Sequence, residues 1–452
     1  MRMTDILQDR FQLARQASRR EPAADAALRK RRLDDLRRLV LDNRSAFVSA
    51  ISADFGVRSQ TETELLEIVP LMNSIRHARW RLGRWMRNER RHVDITFQPA
   101  RAWIRYDPLL LSLGPVVDAF AAGNRVMIKP SELTPQFSDL LASVVAERFD
   151  ASVLSVIPGD VAMAQQFSAL PFDHLVFTGS TQVGRVIMRA AAENLTPVTL
   201  ELGGKSPVIV ADDYPIETAA RSIAFGKFLN AGQTCIAPDY ALVPAAKAEA
   251  FAQSVLEAAQ RAYPTIQDNG DYSSVINDRR LQRLQAGLDE ARARGATILQ
   301  HPDSASGMGK IAPTLVLNAP ADSILMTEEI FGPILPVVGY QTLDEALAII
   351  ARQPRPLALY AFSKHRQLRN RILAEATSGG VTMNGTVLHI AQNDLPFGGV
   401  GASGMGAYHG REGFKRFSHA RAVHEIGPWN VFERLGPPWG GLARLVGRVL
   451  MR

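Results

Sequence analysis

The stretch HLVFTGSTQVGRVIMRAAA, residues 174–192, joins a short apolar run, closed by Thr178 and Gly179, to a helix-like segment. A strand that enters a helix through a glycine-containing turn is the repeating unit of a parallel sheet. Working outward, RVMIK (125–129), LSVI (154–157), VTLEL (198–202) and PVIV (207–210) read as further strands of one buried sheet, with helical stretches between them. The fold class is therefore α/β, with a doubly wound sheet. In the turn GSTQVG, which contains Gly179, Ser180, Val183 and Gly184, backbone amides and a helix start are placed to face a pyrophosphate. An ordinary strand-to-helix turn would give the same string, so the string alone leaves both readings open.

Other glycine runs fail the test of context. GGVGASG has Gly399, Gly401 and Gly404 at fingerprint spacing but follows LPF and runs into MGAYHG, so a glycine-rich surface loop is expected. No Walker pattern exists, because Arg185 follows Gly184 and the GGKS at 203–206 lacks the earlier glycine. The kinase and ATPase classes lose their support.

The remaining chain reads as helices over the first ninety residues, with Leu33, Leu36, Leu39 and Val40 at threes and fours, and as a hairpin or arm over 93–106, where VDITFQPARAWIRY alternates. A second α/β region runs from Gly203 to Asp394, with helices at Glu249–Ala262 and Arg279–Arg294. From Leu395 the chain is glycine-rich and then basic.

Composition bounds the function. The 452 residues are 46% hydrophobic and 21% charged, which suits two or three globular domains and excludes a disordered or collagen-like chain. The net charge is +7 and the pI about 9.7, but acids lie among the basic runs at Arg19-Arg20, Arg29 to Arg32 and Arg90-Arg91. Such runs read as solvated helix faces, so no nucleic-acid partner is expected. The start MRMTDILQDRFQLARQ has no apolar core and no run is long enough to span a membrane. At the end, Leu442, Leu445, Val446, Val449 and Leu450 recur at helical spacing, with Arg444, Arg448 and Arg452 between them. A helix docked on the body is expected there, and peripheral membrane contact is the other reading.

One cysteine, Cys235, forbids an intramolecular disulfide and suits a reducing, cytoplasmic setting. It lies in FLNAGQTCIAP, a small and polar surrounding unlike that of an inert core thiol. Glu201 follows the strand-like PVTL and so stands at the C-terminal edge of a sheet, where α/β sites form. A free thiol is only a few per cent thiolate at neutral pH, so a catalytic one needs a base or a positive field. Lys129 and Glu132 in IKPSE end another strand, in a chain with eight lysines against 44 arginines. No metal-ligand cluster stands out.

The pieces AAGNRVMIKPSE, FTGSTQVG, ELGGKSP, NAGQTC, EEIFGP and LPFGGVGASGMG stand in the order found in the aldehyde dehydrogenase superfamily, which the chain resembles from Gly114 to about His419. LPFDHLVFTGS, GMGAYHGREGF and the PPWGG tail are most similar to the coniferyl aldehyde dehydrogenases and the related dimeric class. This resemblance implies an NAD(P)-binding domain (1–202 and 395–414, with the 93–106 arm), a catalytic domain (203–394), and a bridging strand with a basic tail (415–452). It also implies a homodimer and NAD, with NADP as the alternative cofactor. Cys235 would be the nucleophile and Glu201 the base in oxidising a small-molecule aldehyde, aromatic in the most similar class, to the acid. Lys129 and Glu132 would hold the adenosine ribose, Gly179, Ser180, Val183, Gly184 and Leu202 would border the pyrophosphate, and Glu329 with Phe331 would position the nicotinamide.

The chain departs from the family's pattern at one place. Relatives carry a Gly-Val-rich strand ending in Pro-Trp-Asn, whose asparagine donates to the oxyanion, before the LLLSLGP-like helix start. Here WIRYDP runs directly into LLLSLGP at Pro108, about a dozen residues short, and neither Asn124 nor Asn230 lies in the matching position. Loss of that strand leaves neighbouring backbone groups to find new partners, so a destabilised or rearranged nucleotide domain with reduced or no activity is expected, and a catalytically silent nucleotide-binding homologue is the alternative function.

Overall fold

The computed structural model describes residues 3–450 apart from Pro22, 95–97, Leu109, 113–115, 304–308, Trp429, 431–432 and 434–435. In chain order the strands are β1 (Glu89–Arg91), β2 (Arg101–Pro108), β3 (Leu110–Ser112), β4 (Arg125–Ile128), β5 (Leu154–Val156), β6 (His174–Gly179), β7 (Val198–Leu202) and β8 (Pro207–Val210). There follow β9 (Tyr240–Pro244), β10 (Thr297–Gln300), β11 (Thr314–Leu317), β12 (Ile334–Tyr340), β13 (Ala358–Phe362), β14 (Gly380–Met383), β15 (Gly404–Met405) and β16 (Ser418–Glu425). They form a six-stranded sheet in the order β15-β7-β6-β3-β4-β5, a seven-stranded sheet in the order β10-β11-β12-β9-β8-β13-β14, and a three-stranded sheet β1-β2-β16.

Both large sheets are covered on both faces, which is why their strands read as continuous apolar runs. Successive side chains of a strand point to opposite faces. Val126 and Val176 pack with Leu33, Leu36 and Phe120 on one side of the six-stranded sheet, while their neighbours Met127 and Leu175 pack with Leu7, Phe11 and Leu200 on the other. The seven-stranded sheet repeats the pattern, with Val208 and Leu335 on one face and Ile209 and Leu359 on the other.

Several expectations change. PVIV, β8, belongs to the seven-stranded sheet rather than to the sheet of RVMIK. The arm pairs β1 with β2 antiparallel, Glu89 opposite Ile104, so its first strand lies before Val93, and 95–97 fall outside the described residues. β16 pairs with β2 over eight positions, from Ser418 opposite Pro108 to Glu425 opposite Arg101. The run from Arg29 to Arg32 is not wholly solvated: Arg29 is 3% and Arg32 5% exposed. Arg29 donates to Ala121 O at 3.0 Å and Arg32 to Gly123 O at 3.2 Å, so two cations satisfy the carbonyl end of the helix Val116–Ala122. The GGVGASG loop is not a free surface loop either, since β15 pairs with β7 (Gly404 opposite Glu201) and Leu202 N donates to Ser403 O at 3.1 Å. The helix Gly441–Leu450 forms, yet Leu442, Leu445 and Val449 are 64, 52 and 64% exposed, which overturns docking of that face on the body. Arg452 and the Leu450 side chain fall outside the description.

The expected rearrangement lies just past Pro108. The sheet has no gap between β6 and β4, because Leu110–Ser112, expected to open a helix, forms β3 instead. Leu110, Leu111 and Ser112 face Arg125, Val126 and Met127 of β4, and Leu111 and Ser112 face His174 and Leu175 of β6, parallel on both sides. Unpaired backbone groups in a buried slot are costly, and Leu110–Ser112 satisfies those of β4 and β6 ahead of the helix Val116–Ala122. Proline inside a central strand removes a ladder donor. Leu111→Pro is therefore expected to lower stability by about 3 kcal/mol or more in urea unfolding, against a change near zero if β3 did not pair.

Candidate active site

A cavity of about 880 Å³ opens where the two large sheets meet, and Cys235 and Glu201 both line it. Cys235 follows the short helical turn Leu229–Gly232 at the end of the helix Ile216–Phe228. Asn230 and Ala231 in that turn are left-handed, each with φ 49°. Left-handed backbone at a non-glycine residue costs about 1–3 kcal/mol and persists only where the surroundings enforce it. Here the Asn230 amide donates to Gln233 O at 3.1 Å, and Gln233 Nε2 donates to Asn230 O at 3.2 Å and Ser274 O at 2.9 Å. Past the thiol, Tyr360 on β13 donates its hydroxyl to Ile236 O at 2.5 Å.

Glu201 sits on β7 opposite Thr178. Both its carboxylate oxygens are buried without a hydrogen-bond partner, and burial alone pushes its pKa up to about 8. Burial, then Glu329 and Glu201, push the Cys235 thiol up to about 12, while the backbone N–H groups of Cys235 and Ile236 pull the other way. A thiol held so far towards its neutral form needs a base to become a nucleophile.

Glu329 and Phe331 reach the same cavity from the turn between Thr327 and β12. That turn is fixed by a buried ion pair between Lys205 and Asp239, with Lys205 donating to Leu325 O at 2.8 Å and Glu328 O at 3.1 Å, and Ile330 N donating to Asp239 at 2.9 Å. Burial first, then Asp239, raises Glu329 to about 7. A Cβ at Gly203 would come within 2.1 Å of its carboxylate, so any larger residue there would displace that carboxylate. Gly179, Ser180 and Leu202 line the cavity too, whereas Lys129, Glu132, Val183 and Gly184 lie outside its lining.

The Aldehyde dehydrogenase family model matches residues 7–423. The chain belongs to the aldehyde dehydrogenase family. It is 48% identical over 457 residues to the "Probable coniferyl aldehyde dehydrogenase" of Pseudomonas aeruginosa, covering 98% of this chain and 96% of the relative. It is 43% identical over 418 residues to the "Coniferyl aldehyde dehydrogenase" of a Pseudomonas species, covering 88% of this chain and 86% of that one. The substrate-bound AldH of Staphylococcus aureus superposes with a TM-score of 0.91 at 35% identity over 98% of this chain and 99% of that chain. The protein is thus an NAD(P)-dependent aldehyde dehydrogenase with the doubly wound α/β fold and bridging sheet that the sequence announces.

The residues of this aldehyde dehydrogenase fit the dinucleotide. Ser180 caps the helix Thr181–Ala192, accepting from Val183 N at 3.3 Å, and Gly179 and Ser180 are exposed at its positive end. A Cβ at Gly184 would meet Leu202 at 2.8 Å, so glycine lets that helix press onto β7. The buried Lys129 ammonium holds Glu132 at 2.8 Å, a cation and a carboxylate at the end of β4 suited to a ribose diol.

Sequence reasoning missed part of the site. Tyr408 and His409 line the cavity, and the Tyr408 ring is held above its usual pKa by burial, then by Glu201 and Cys235. His409 N donates to Asp118 at 3.1 Å, and desolvation lifts that fully buried carboxyl to about 7. An acid inside the apolar run VVDAFAA was the signal that could have found it. Asn124 donates to Phe417 O at 2.8 Å and Asn230 to Gln233 O at 3.1 Å, so both amide N–H groups are already engaged by backbone carbonyls.

Because Cys235 is the sole cysteine, its protonation can be read directly. In the cofactor-free protein its alkylation by iodoacetamide is expected to climb about tenfold per pH unit from pH 7 to 9 without levelling. A plateau below pH 8 would contradict a thiol raised by burial.

Proposed function

We propose that this enzyme oxidises an aromatic aldehyde of the coniferyl type to its carboxylic acid, with Cys235 as nucleophile and Glu201 as base. The observation that carries the reading is one cavity that joins a buried thiol and an unpartnered carboxylate to an apolar wall of Leu65, Leu66, Phe225, Leu388 and Ile390. Such a wall favours an aromatic body and leaves the polar end to the thiol. The names of the Pseudomonas relatives support the same substrate class.

The chemistry follows from the two protonation states. Above its raised pKa the Glu201 carboxylate accepts the thiol proton, and the Cys235 sulfur adds to the aldehyde carbon to give a thiohemiacetal. Bound NAD(P) supplies the acceptor for the hydride that leaves that carbon. Once its first proton has passed to solvent, Glu201 takes a proton from the water whose oxygen attacks the resulting thioester, and it returns that proton to the Cys235 sulfur as the acid departs. The ribose is assigned to Lys129 and Glu132, the pyrophosphate border to Gly179, Ser180, Val183, Gly184 and Leu202, and the nicotinamide side to Glu329 and Phe331. Lys129 holds Glu132 below the usual carboxylate range, and an ionised Glu132 beside the ribose repels a 2′-phosphate, so NAD is the preferred form.

The oxyanion is left with backbone N–H donors, those of Cys235 and Ile236, because no asparagine follows β2. Loss of one such donor costs about 10²–10³ in rate in other enzymes, and a reduced turnover is inferred here. Residues 1–202 with 395–414, 203–394 and 415–452 are assigned as cofactor, catalytic and bridging parts of a cytoplasmic homodimer. No described helix is long and apolar enough to cross a membrane. The exposed Leu442, Leu445 and Val449 beside Arg444 and Arg448 support peripheral contact with an anionic membrane, which pelleting with phosphatidylglycerol vesicles reads.

The test of this function is NADH formation from coniferyl aldehyde. We expect kcat/KM to rise with pH and level above about pH 8, to be higher with NAD than NADP, and to vanish in Cys235→Ala. Turnover that survives Cys235→Ala would refute it.

A further inference from the structure

The left-handed turn that carries the thiol is held from behind by a residue in a distant part of the chain. Glu62 lies in the short helix Gln60–Thr63, is 9% exposed, and is not among the residues lining the cavity. One carboxylate oxygen accepts from the backbone N–H of Asn230 at 2.6 Å, the first left-handed residue of the turn, and the other accepts from the Ser273 hydroxyl at 3.0 Å. Ser273 belongs to the segment whose next residue, Ser274, takes the Gln233 amide and donates its own N–H to Val57 O at 2.9 Å. Ser59, which caps the Glu62 helix, donates to Asp271 at 2.9 Å. Residues 57–62 and 271–274 thus form a seam that closes on Asn230 and Gln233, five and two positions before Cys235. The nearest cation, Arg58, stands 4.0 Å away and makes its shorter ion pair, 2.9 Å, with Glu67.

We propose that Glu62 is a positioning residue for Cys235: by accepting the Asn230 N–H while anchored on Ser273, it holds the strained Asn230–Ala231 turn in the one conformation that presents the thiol to the cavity. The proposal rests on Cys235 being the nucleophile. A backbone N–H at a left-handed residue has few partners within its own turn, and a carboxylate with one oxygen on that N–H and the other on a neighbouring segment fixes both. Nothing in the chain's motifs announces this, since Glu62 and Cys235 are far apart in sequence and on different elements.

The test uses the sole cysteine as its own probe, so it does not depend on turnover. In Glu62→Ala the turn is released, and iodoacetamide alkylation of Cys235 at pH 8 is expected to quicken about tenfold while kcat for aldehyde oxidation falls about tenfold, with NADH affinity within twofold of the parent. Glu62→Gln keeps an acceptor for Asn230 and, through rotation of the Ser273 hydroxyl, a second bond, so it should recover most of both changes. Ser273→Ala, which removes only the anchor, should shift both readouts in the same directions by a smaller factor, and it covers the case in which Glu62→Ala does not fold. Unchanged alkylation in Ser273→Ala and in a folded Glu62→Ala would overturn the proposal, as would a uniform fall in kcat, NADH affinity and stability without faster alkylation. If alkylation responds while the parent shows no aldehyde turnover, the clamp stands and the assigned reaction fails instead.

Discussion

A buried parallel sheet cannot leave a slot between two of its strands, and that constraint organises the nucleotide-binding half of this protein. β6 and β4 each expose a row of backbone groups that only a strand between them can satisfy. Relatives are longer: the match to the Pseudomonas aeruginosa protein runs over 457 residues, more than the 452 this chain has. The chain meets the constraint with Leu110–Ser112, whose sequence reads as a helix start and which pairs as the missing strand, while the helix Val116–Ala122 seats Asp118 against the His409 N–H. The superposition at a TM-score of 0.91 shows that the fold tolerates this exchange.

What the exchange does not replace is chemistry. The three-residue strand restores pairing, but it brings no asparagine to the thiol, and the two asparagines nearest in motif are bonded elsewhere. The rest of the site is set by burial. Cys235 and Glu201 are both taken out of water, so each is driven towards its neutral form. Lys205 and Asp239 satisfy one another and fix the Glu329 turn, leaving Glu201 as the carboxylate with free oxygens in the cavity.

Much of this was legible in the sequence. The strands RVMIK, LSVI, HLVFT and VTLEL are apolar because both faces are covered, and Ser180 and Gly184 stand where a cap and a close helix approach require them. Cys235 and Glu201 were found by their surroundings and by the resemblance. Other features depend on contacts between distant segments and leave no local periodicity. Leu110–Ser112 has the pattern of a helix start and becomes a strand only because β4 and β6 need one. Arg29 and Arg32 look like surface charge until the carbonyls of 121–123 are placed beside them. Tyr408 and His409 reach the cavity, and Glu62 the turn before the thiol, by tertiary folding alone, and PVIV is indistinguishable from its neighbours although it enters another sheet.

The shortened chain keeps the fold and the thiol chemistry while lacking one oxyanion donor. The most direct measurement compares steady-state NADH formation by the chain as it stands with that of a variant in which a Gly-Val-rich strand ending in Pro-Trp-Asn is inserted at Pro108. The account predicts slow turnover in the first and a gain of about 10²-fold or more in kcat in the second. Equal and rapid rates in the two proteins would contradict it.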